Sequence, residues 1–448
     1  MVHEYDTPID GEIMLNQTRN IKVRLRYDSE KNLILELLEK DIPEFSAKEL
    51  KGTFKGFCKR NYNITFFNCR KSNAINCVNI NFDSYISCEY DSEDSSDDFL
   101  NKDSLVKELN FRINHFDNWL YSGKMGSTKS KLTFLDENKS EISVADNAKY
   151  LEILISNKSN VYNFQYKNKN LKLYIIDTLG GNRYKPSEIK LFQKCSLKIE
   201  SETPQSISFF IDLIQKIKKL FSLFFNEVAK IKSVSGNDLD YFVIYNLIND
   251  KCKEDGRLSM LFNIFYEDIN QNLGDIIQNW LNFYDEYEFI ITEVCFFDEI
   301  KTLSSSISEY AQLLETYGNI INKGAGTRAD IKRAVSELKP ENFQKIFHID
   351  KEREDFLTFD FNAKNLSEDV HTQMELVGEQ ISKLRNHAIH PYKNGKLKTP
   401  KDSEIHEILI QNEGLKLEAI DVVVKCAFKI LVVLLLQKLN IDEHYANF

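Results

Sequence analysis

From the N-terminus to about residue 200, apolar and polar positions alternate with period two. Ile21-Lys22-Val23-Arg24-Leu25-Arg26-Tyr27, Asn63-Ile64-Thr65-Phe66-Phe67 and Val78-Asn79-Ile80-Asn81-Phe82 show the pattern. Leu171-Lys172-Leu173-Tyr174-Ile175-Ile176 and Ser196-Leu197-Lys198-Ile199 continue it. Alternation among β-branched and aromatic residues marks half-buried strands. Within this region Leu105 to Leu120 reads as a short helix ending near Trp119, and Gly180-Gly181-Asn182 as a turn. That glycine pair lacks the spacing of a phosphate-binding loop and carries no function.

The period changes at Ser206. Phe209, Phe210, Leu213, Ile214, Ile217, Leu220, Phe221 and Phe224 recur at helical spacing, so a long amphipathic helix is expected between Ser206 and Val234. Its aromatic stripe reads as core rather than as a base-stacking platform. Tyr241 to Tyr245 is strand-like, and a helix is expected around Gly274 to Asp285. From about residue 300 the pattern is helical, over Ser304–Ile321, Thr327–Leu338, Leu366–Ile389 and roughly Glu418–Asn440. In the third of these, Leu366, Val370, Met374, Val377, Ile381, Leu384 and Ala388 are spaced by fours and threes. Asn365 fits a cap, with Glu368 three residues on. The chain is therefore read as α+β. A β-rich domain covers residues 1–205, a long helix and mixed α/β segment 206–299, and an all-α helical domain 300–448.

Ala419 to Leu436 is apolar enough to suggest a membrane span, but Asp421, Lys425 and Lys429 interrupt it at four-residue intervals. They draw one charged stripe along a helix better read as core or subunit interface. No charged-then-apolar signal peptide opens the chain.

Composition changes this picture little. The 448 residues suffice for two or three domains. A net charge of −10 excludes a whole-protein basic field for nucleic acid, so any RNA contact must come from a local patch. Acid concentrates between Glu89 and Asp103, which reads as a solvated loop. None of the eight cysteines forms a Cys-x-x-Cys pair. Buried thiols in a reducing cytoplasm are expected, rather than zinc or disulfides.

The candidate chemistry lies at the end of the third C-terminal helix, in Arg385-Asn386-His387-Ala388-Ile389-His390 before Pro391. Proline pushes the residue before it out of helical geometry, so the helix should end at or just before His390. Fraying there frees His390 to swing beside Arg385. Imidazole titrates near neutrality, and a guanidinium presents a planar fork to a phosphate. Together they could take a proton from an RNA 2′-hydroxyl and stabilise the charge that develops on phosphorus. Asn386 orients His390 or a phosphate, or caps the helix; His387 adds a second imidazole or faces solvent. Tyr392, Lys393, Lys396 and Lys398 follow, together with Lys401 and no acid, as a candidate RNA-facing rim. Arg328, Lys332 and Arg333 are candidates for the same surface. His371 and His406 are scattered and read as structural. Spacing alone decides little, since twelve arginines and eight histidines give about 0.2 chance Arg-x4-His matches.

Context adds to the spacing. The sequence resembles the HEPN superfamily, whose ribonucleases carry an Arg-polar-x3-His motif in such a helical domain; Arg385, Asn386 and His390 match it. It resembles ApeA-like anti-phage proteins more closely still, which pair a β-rich N-terminal domain with a HEPN domain. Phe111 to Leu120 looks like that family's helix-then-Trp segment, and Leu314-Glu315-Thr316 like the Leu-Glu start of its HEPN domain. The resemblance implies abortive antiviral defence by metal-independent RNA cleavage that leaves a 2′,3′-cyclic phosphate and needs no cofactor. It also implies a homodimer or higher homo-oligomer through the HEPN domain, two motifs facing one cleft, a phage-derived trigger and no membrane. The alternative is a non-catalytic HEPN module that dimerises or holds RNA or protein. A metallohydrolase using His387 and His390 lacks any His-x3-His or His-Glu-x2-His spacing. The N-terminal region carries no catalytic constellation and reads as regulatory or sensing.

Overall fold

The computed structural model describes residues 8–15, 19–27, 33–38, 46–55, 61–74, 77–90, 99–121, 131–135, 141–142, 150–154, 160–185, 188–225, 227–236, 242–245, 263–295, 303–322, 327–348, 371, 374–375, 377–379, 381–382, 385, 392–393, 396–397 and 416–441. It is an α+β chain of two compact units. One comprises residues 1–218 and 229–257, the other 219–228 and 258–448.

The first unit begins with six antiparallel strands that close on themselves. They are β1 (Ile9–Leu15), β2 (Arg19–Tyr27), β3 (Leu33–Leu37), β4 (Ser46–Lys55), β5 (Asn61–Ala74) and β6 (Cys77–Asn81). The order β5-β4-β1-β2-β3-β6 returns to β5 through the β5–β6 pairing. Closure depends on a change of partner along β5. Its first half pairs with β7 (Ser84–Tyr90), up to Phe67↔Ser84, and its second half with β6 from Arg70↔Asn81. Between them Asn68 adopts a left-handed φ of 55° and its amide donates to Asp83 Oδ2 at 2.8 Å. Asparagine tolerates that backbone better than most residues.

The period-two residues point into this barrel: Ile13, Ile21, Val23, Leu25, Leu35, Ile64, Phe66 and Ile80 are all buried. Gly11 and Gly52 flank Phe54. A Cβ at 11 would run into the Phe54 ring, 2.7 Å from its Cγ, and one at 52 would lie 2.8 Å from Ile13. Small barrels alternate small and large interior residues in this way.

The sheet continues through β8 (Leu105–Ile113), a short α1 (Phe116–Tyr121), β12 (Asn160–Tyr166), β13 (Lys169–Lys185), β14 (Glu188–Ser206), β15 (Ile231–Gly236) and β16 (Phe242–Tyr245). Its order beyond the barrel is β7-β16-β15-β8-β14-β13-β12. A separate three-stranded sheet holds β9 (Lys131–Leu135), β10 (Glu141–Ile142) and β11 (Tyr150–Leu154). Lys167 and Asn168, both with positive φ, form the tight β12–β13 turn; two left-handed residues match the twist of the flanking strands. The helix α2 (Ile207–Phe225) starts at Ser206, whose hydroxyl accepts from the Phe209 amide at 3.2 Å. The boundary between the units falls inside α2. Phe210, Leu213, Ile214, Ile217, Leu220, Phe221 and Phe224 are buried, as expected of core.

Three sequence expectations fail here. Leu105–Ile113 is a strand between β14 and β15, and only Phe116–Tyr121 is helical. Two ready strand partners outweigh the weak helical propensity of Leu-Val-Lys-Glu-Leu. Gly180-Gly181-Asn182 is not a turn either; it pairs within β13, as Gly180↔Phe192, Gly181↔Leu191 and Asn182↔Lys190. The helix read between Ser206 and Val234 also stops sooner, at Phe225.

The second unit contains α3 (Tyr266–Ile269), α4 (Leu273–Cys295), α5 (Leu303–Asn322), α6 (Thr327–Ser336), α7 (Pro340–His348) and α8 (Lys416–Lys438). α7 has no counterpart in the hydrophobic pattern read above. α5 lies at the centre, against α4, α6 and α8. Ile430 to Leu436 of α8 are all buried while Lys425 is exposed, as the charged stripe implied. Gln437 ties the α6–α7 corner. Its amide nitrogen donates to Glu337 O at 3.0 Å, and its oxygen accepts from Lys339 N and Asn342 Nδ2 at 3.1 Å each. Those bonds occupy groups that helix ends leave without partners. Among the described residues no helix is long and apolar enough to cross a membrane.

Candidate active site

Helical positions at 371, 374–375, 377–379, 381–382 and 385 fall on the stretch read as the motif helix. Met374, Val377, Gly378, Ile381 and Ser382 are buried at helical spacing. Arg385 follows Gly378 by seven residues, close to two full turns, so it shares that inward face. Its side chain is 20% exposed, and its Nη2 forms an ion pair with Glu315 Oε2 of α5 at 2.9 Å. Arg385 Nε is buried and has no hydrogen-bond partner among the described residues.

Close helix approach sets this geometry. A Cβ at Gly318 would sit 2.6 Å from the carbonyl carbon of Asp330 on α6. A Cβ at Gly378 would sit 2.7 Å from Lys332 Cα, also on α6. Real side chains do not approach so closely, so both glycines let α6 lie directly against α5 and the motif helix. Lys332 Nζ reaches Glu379 at 3.3 Å, which adds a second link between α6 and the motif helix. Nearby, burial pushes the Tyr287 phenol up to about 12, helped by Glu286 and Glu337, and Tyr317 higher still. Both rings stay neutral and act as packing.

The remaining sequence candidates divide as follows. Asn386, His387, His390, Lys398, Lys401 and His406 lie outside the described residues, as do Asn365, Glu368 and the Glu89–Asp103 stretch from 91 to 98. Tyr392 and Lys393 form β17, paired with β18 (Lys396 and Leu397) as Tyr392↔Leu397 and Lys393↔Lys396. That ladder brings the backbones of three rim candidates together on one short hairpin. Lys332 is engaged with Glu379, Arg333 is exposed, and His371 is exposed. Among the described residues no three His, Cys, Asp or Glu side chains group as metal ligands. Cys69, Cys88, Cys195, Cys295 and Cys426 are buried thiols. Glu315 was named in the sequence only as part of a family-like run. Nothing in local periodicity joins it to an arginine seventy residues away.

The other family-like segment has a firm geometry in the first unit. Phe111 to Ile113 end β8, His115 takes a left-handed φ of 58°, and α1 then buries Phe116 against Trp119 with ring centroids 5.6 Å apart. Asn114 exchanges two hydrogen bonds with the Lys230 backbone, at 2.5 and 2.9 Å. Asp117 Oδ1 accepts from the Cys195 amide at 2.6 Å. The segment is strand, turn and helix rather than helix then Trp.

A family model described as ApeA N-terminal domain 1 matches residues 9–280, more than half of the chain. The chain belongs to the ApeA family. The match spans the barrel, the extended sheet and the start of α4, and so includes the Trp119 segment but not Glu315 or Arg385. ApeA membership points to anti-phage defence. No curated protein and no solved structure matches the chain.

Proposed function

We propose that this ApeA-family chain is a metal-independent endoribonuclease whose C-terminal region works as a HEPN-type domain. In this reading a His390 imidazole removes the proton from an RNA 2′-hydroxyl. The freed oxygen attacks the adjacent phosphorus, and the bond to the 5′ oxygen breaks. A second His390, from a partner copy, protonates the leaving oxygen. The products are a 2′,3′-cyclic phosphate and a 5′-hydroxyl. Arg385 supplies permanent positive charge for the equatorial oxygens. Asn386 orients His390 or a phosphate oxygen. Tyr392, Lys393, Lys396 and Lys398 hold the flanking RNA, with lysines on phosphates and the aromatic ring on a base. The homodimer or higher homo-oligomer follows from needing one acid and one base, and a phage-derived trigger would switch cutting on.

The observation that carries this reading is the ion pair between Arg385 and Glu315. It keeps the motif arginine at a three-helix junction and partly open to solvent. The test is cleavage of total RNA by the purified full-length chain in a chelator. Wild type should cut, and Arg385→Ala and His390→Ala should not, with melting temperatures unchanged for His390→Ala. Strict metal dependence, or variants that cut like wild type, would refute it.

The same ion pair supports a second reading, in which the helical region only dimerises or binds RNA or protein. A guanidinium already matched by a carboxylate is what a structural pair requires. RNA retention on the column with no cleavage in any condition would favour that reading.

A further inference from the structure

We infer that Glu315 is the positioning residue for Arg385: its carboxylate fixes the guanidinium so that the remaining N–H donors meet a scissile phosphate in one orientation. This rests on the nuclease reading above. Glu315 and Gly318 lie three residues apart on α5, on one helix face. Gly318 contacts Asp330, and Gly378 contacts Lys332, two residues further along α6. Arg385 lies two turns beyond Gly378. α6 is thus pressed against both helices, and the ion pair spans α5 and the motif helix directly beside that contact.

Four features separate this pair from a surface bridge. Both side chains are three-quarters or more buried, at 20% and 24% exposure. Among the described residues Glu315 is the carboxylate paired with Arg385, with Nη2 at 2.9 Å from it. Nε is buried and has no hydrogen-bond partner among the described residues, which leaves the ion pair with Glu315 as the polar contact that orients the fork there. The neighbouring cation, Lys332, has its own carboxylate in Glu379 and does not compete for Glu315. An arginine ion-paired in a mostly buried position, between helices whose close approach two glycines allow, presents its other donors in a narrow range of directions. Bidentate phosphate recognition needs that direction.

The experiment compares wild type, Glu315→Gln, Arg385→Ala and the charge swap Glu315→Arg with Arg385→Glu, by steady-state RNA cleavage and thermal melting of the full-length chain. Glu315→Gln keeps size and one acceptor oxygen. It should melt near wild type yet lower kcat on the order of 10- to 100-fold, a loss typical of misplaced catalytic groups. KM should stay within about threefold, as for an interaction expressed in the transition state. The swap should restore melting without restoring cleavage, because the cation then sits on the wrong helix. A Glu315→Gln chain with wild-type kcat would overturn the inference, and so would a swap that cuts. So would a loss of activity no larger than the loss of folded protein. If Arg385→Ala is dead while Glu315→Gln is intact, only the positioning role fails. If wild type does not cut, or Arg385→Ala cuts normally, the nuclease reading itself fails.

Discussion

Gly318→Ala sets two physical effects against each other. Alanine in a helix interior is favoured over glycine by about 1 kcal/mol, so propensity alone makes the variant more stable. Packing opposes it. The added methyl would lie 2.6 Å from the Asp330 carbonyl carbon and 2.9 Å from its Cα. Carbon atoms pack best at about 3.5–4.0 Å, so α5 and α6 must separate by roughly 1 Å. A gap of that size forfeits about a quarter to a half of each dispersion contact along the helix pair. The obstacle is backbone, which cannot rotate away. Overpacking of this kind costs about 1–3 kcal/mol, and an immovable neighbour puts it at the upper end. The net expectation is about 2 kcal/mol of destabilisation, read by urea unfolding of the purified chain. Glu315 sits one turn away on the same helix, so the shift also draws its carboxylate from Arg385 and should lower RNA cleavage. A variant as stable as wild type, or more so, would show that α5 and α6 do not touch as described.

Other consequences follow from the first unit and the thiols. Phe54→Ala empties the barrel beside Gly11 and Gly52 and should cost about 3–5 kcal/mol by denaturant titration; its ring is buried and meets Phe66 edge-on at 5.8 Å. Burial raises the Asp212 carboxyl, but bonds from Tyr166 at 2.6 Å and Lys167 at 2.9 Å outweigh it and hold it below its ordinary value. A depressed folded-state value stabilises above the ordinary carboxylate range and is lost as pH falls through it. Asp212→Asn should therefore melt lower than wild type at neutral pH, by about 1 kcal/mol or less for so exposed a group, and the gap should close below about pH 4. Burial also pushes the thiols of Cys69 and Cys426 up to about 12 and 11. Native protein at pH 8 should leave both unalkylated by mass spectrometry, and labelling of either would contradict their burial.

Strands whose one face meets the barrel interior were legible because burial imposes alternation. Ile21, Val23 and Leu25 point in while Lys22 points out. β8 alternates too, yet its Leu, Lys and Glu content reads as helix when its partners β14 and β15 are out of view. Gly180 and Gly181 mislead for the same reason, since a ladder supplied from β14 overrides a local turn signal. Along α2, Lys216 and Lys218 interrupt an apolar pattern in the sequence, but both are buried, and Lys216 lies over the Tyr166 ring at 5.3 Å. The motif around Arg385 was legible as a candidate because it is local and ends at a proline. Glu315 was not, because its tie to Arg385 exists only once α5, α6 and the motif helix pack through Gly318 and Gly378.

The most direct test of the central claim is the chemistry of the RNA ends after induction of the chain in cells. Upstream fragments should carry 2′,3′-cyclic phosphates and downstream fragments 5′-hydroxyls, and both should vanish in His390→Ala. Fragments ending in 3′-hydroxyl and 5′-phosphate, or cyclic ends that persist in the variant, would contradict it.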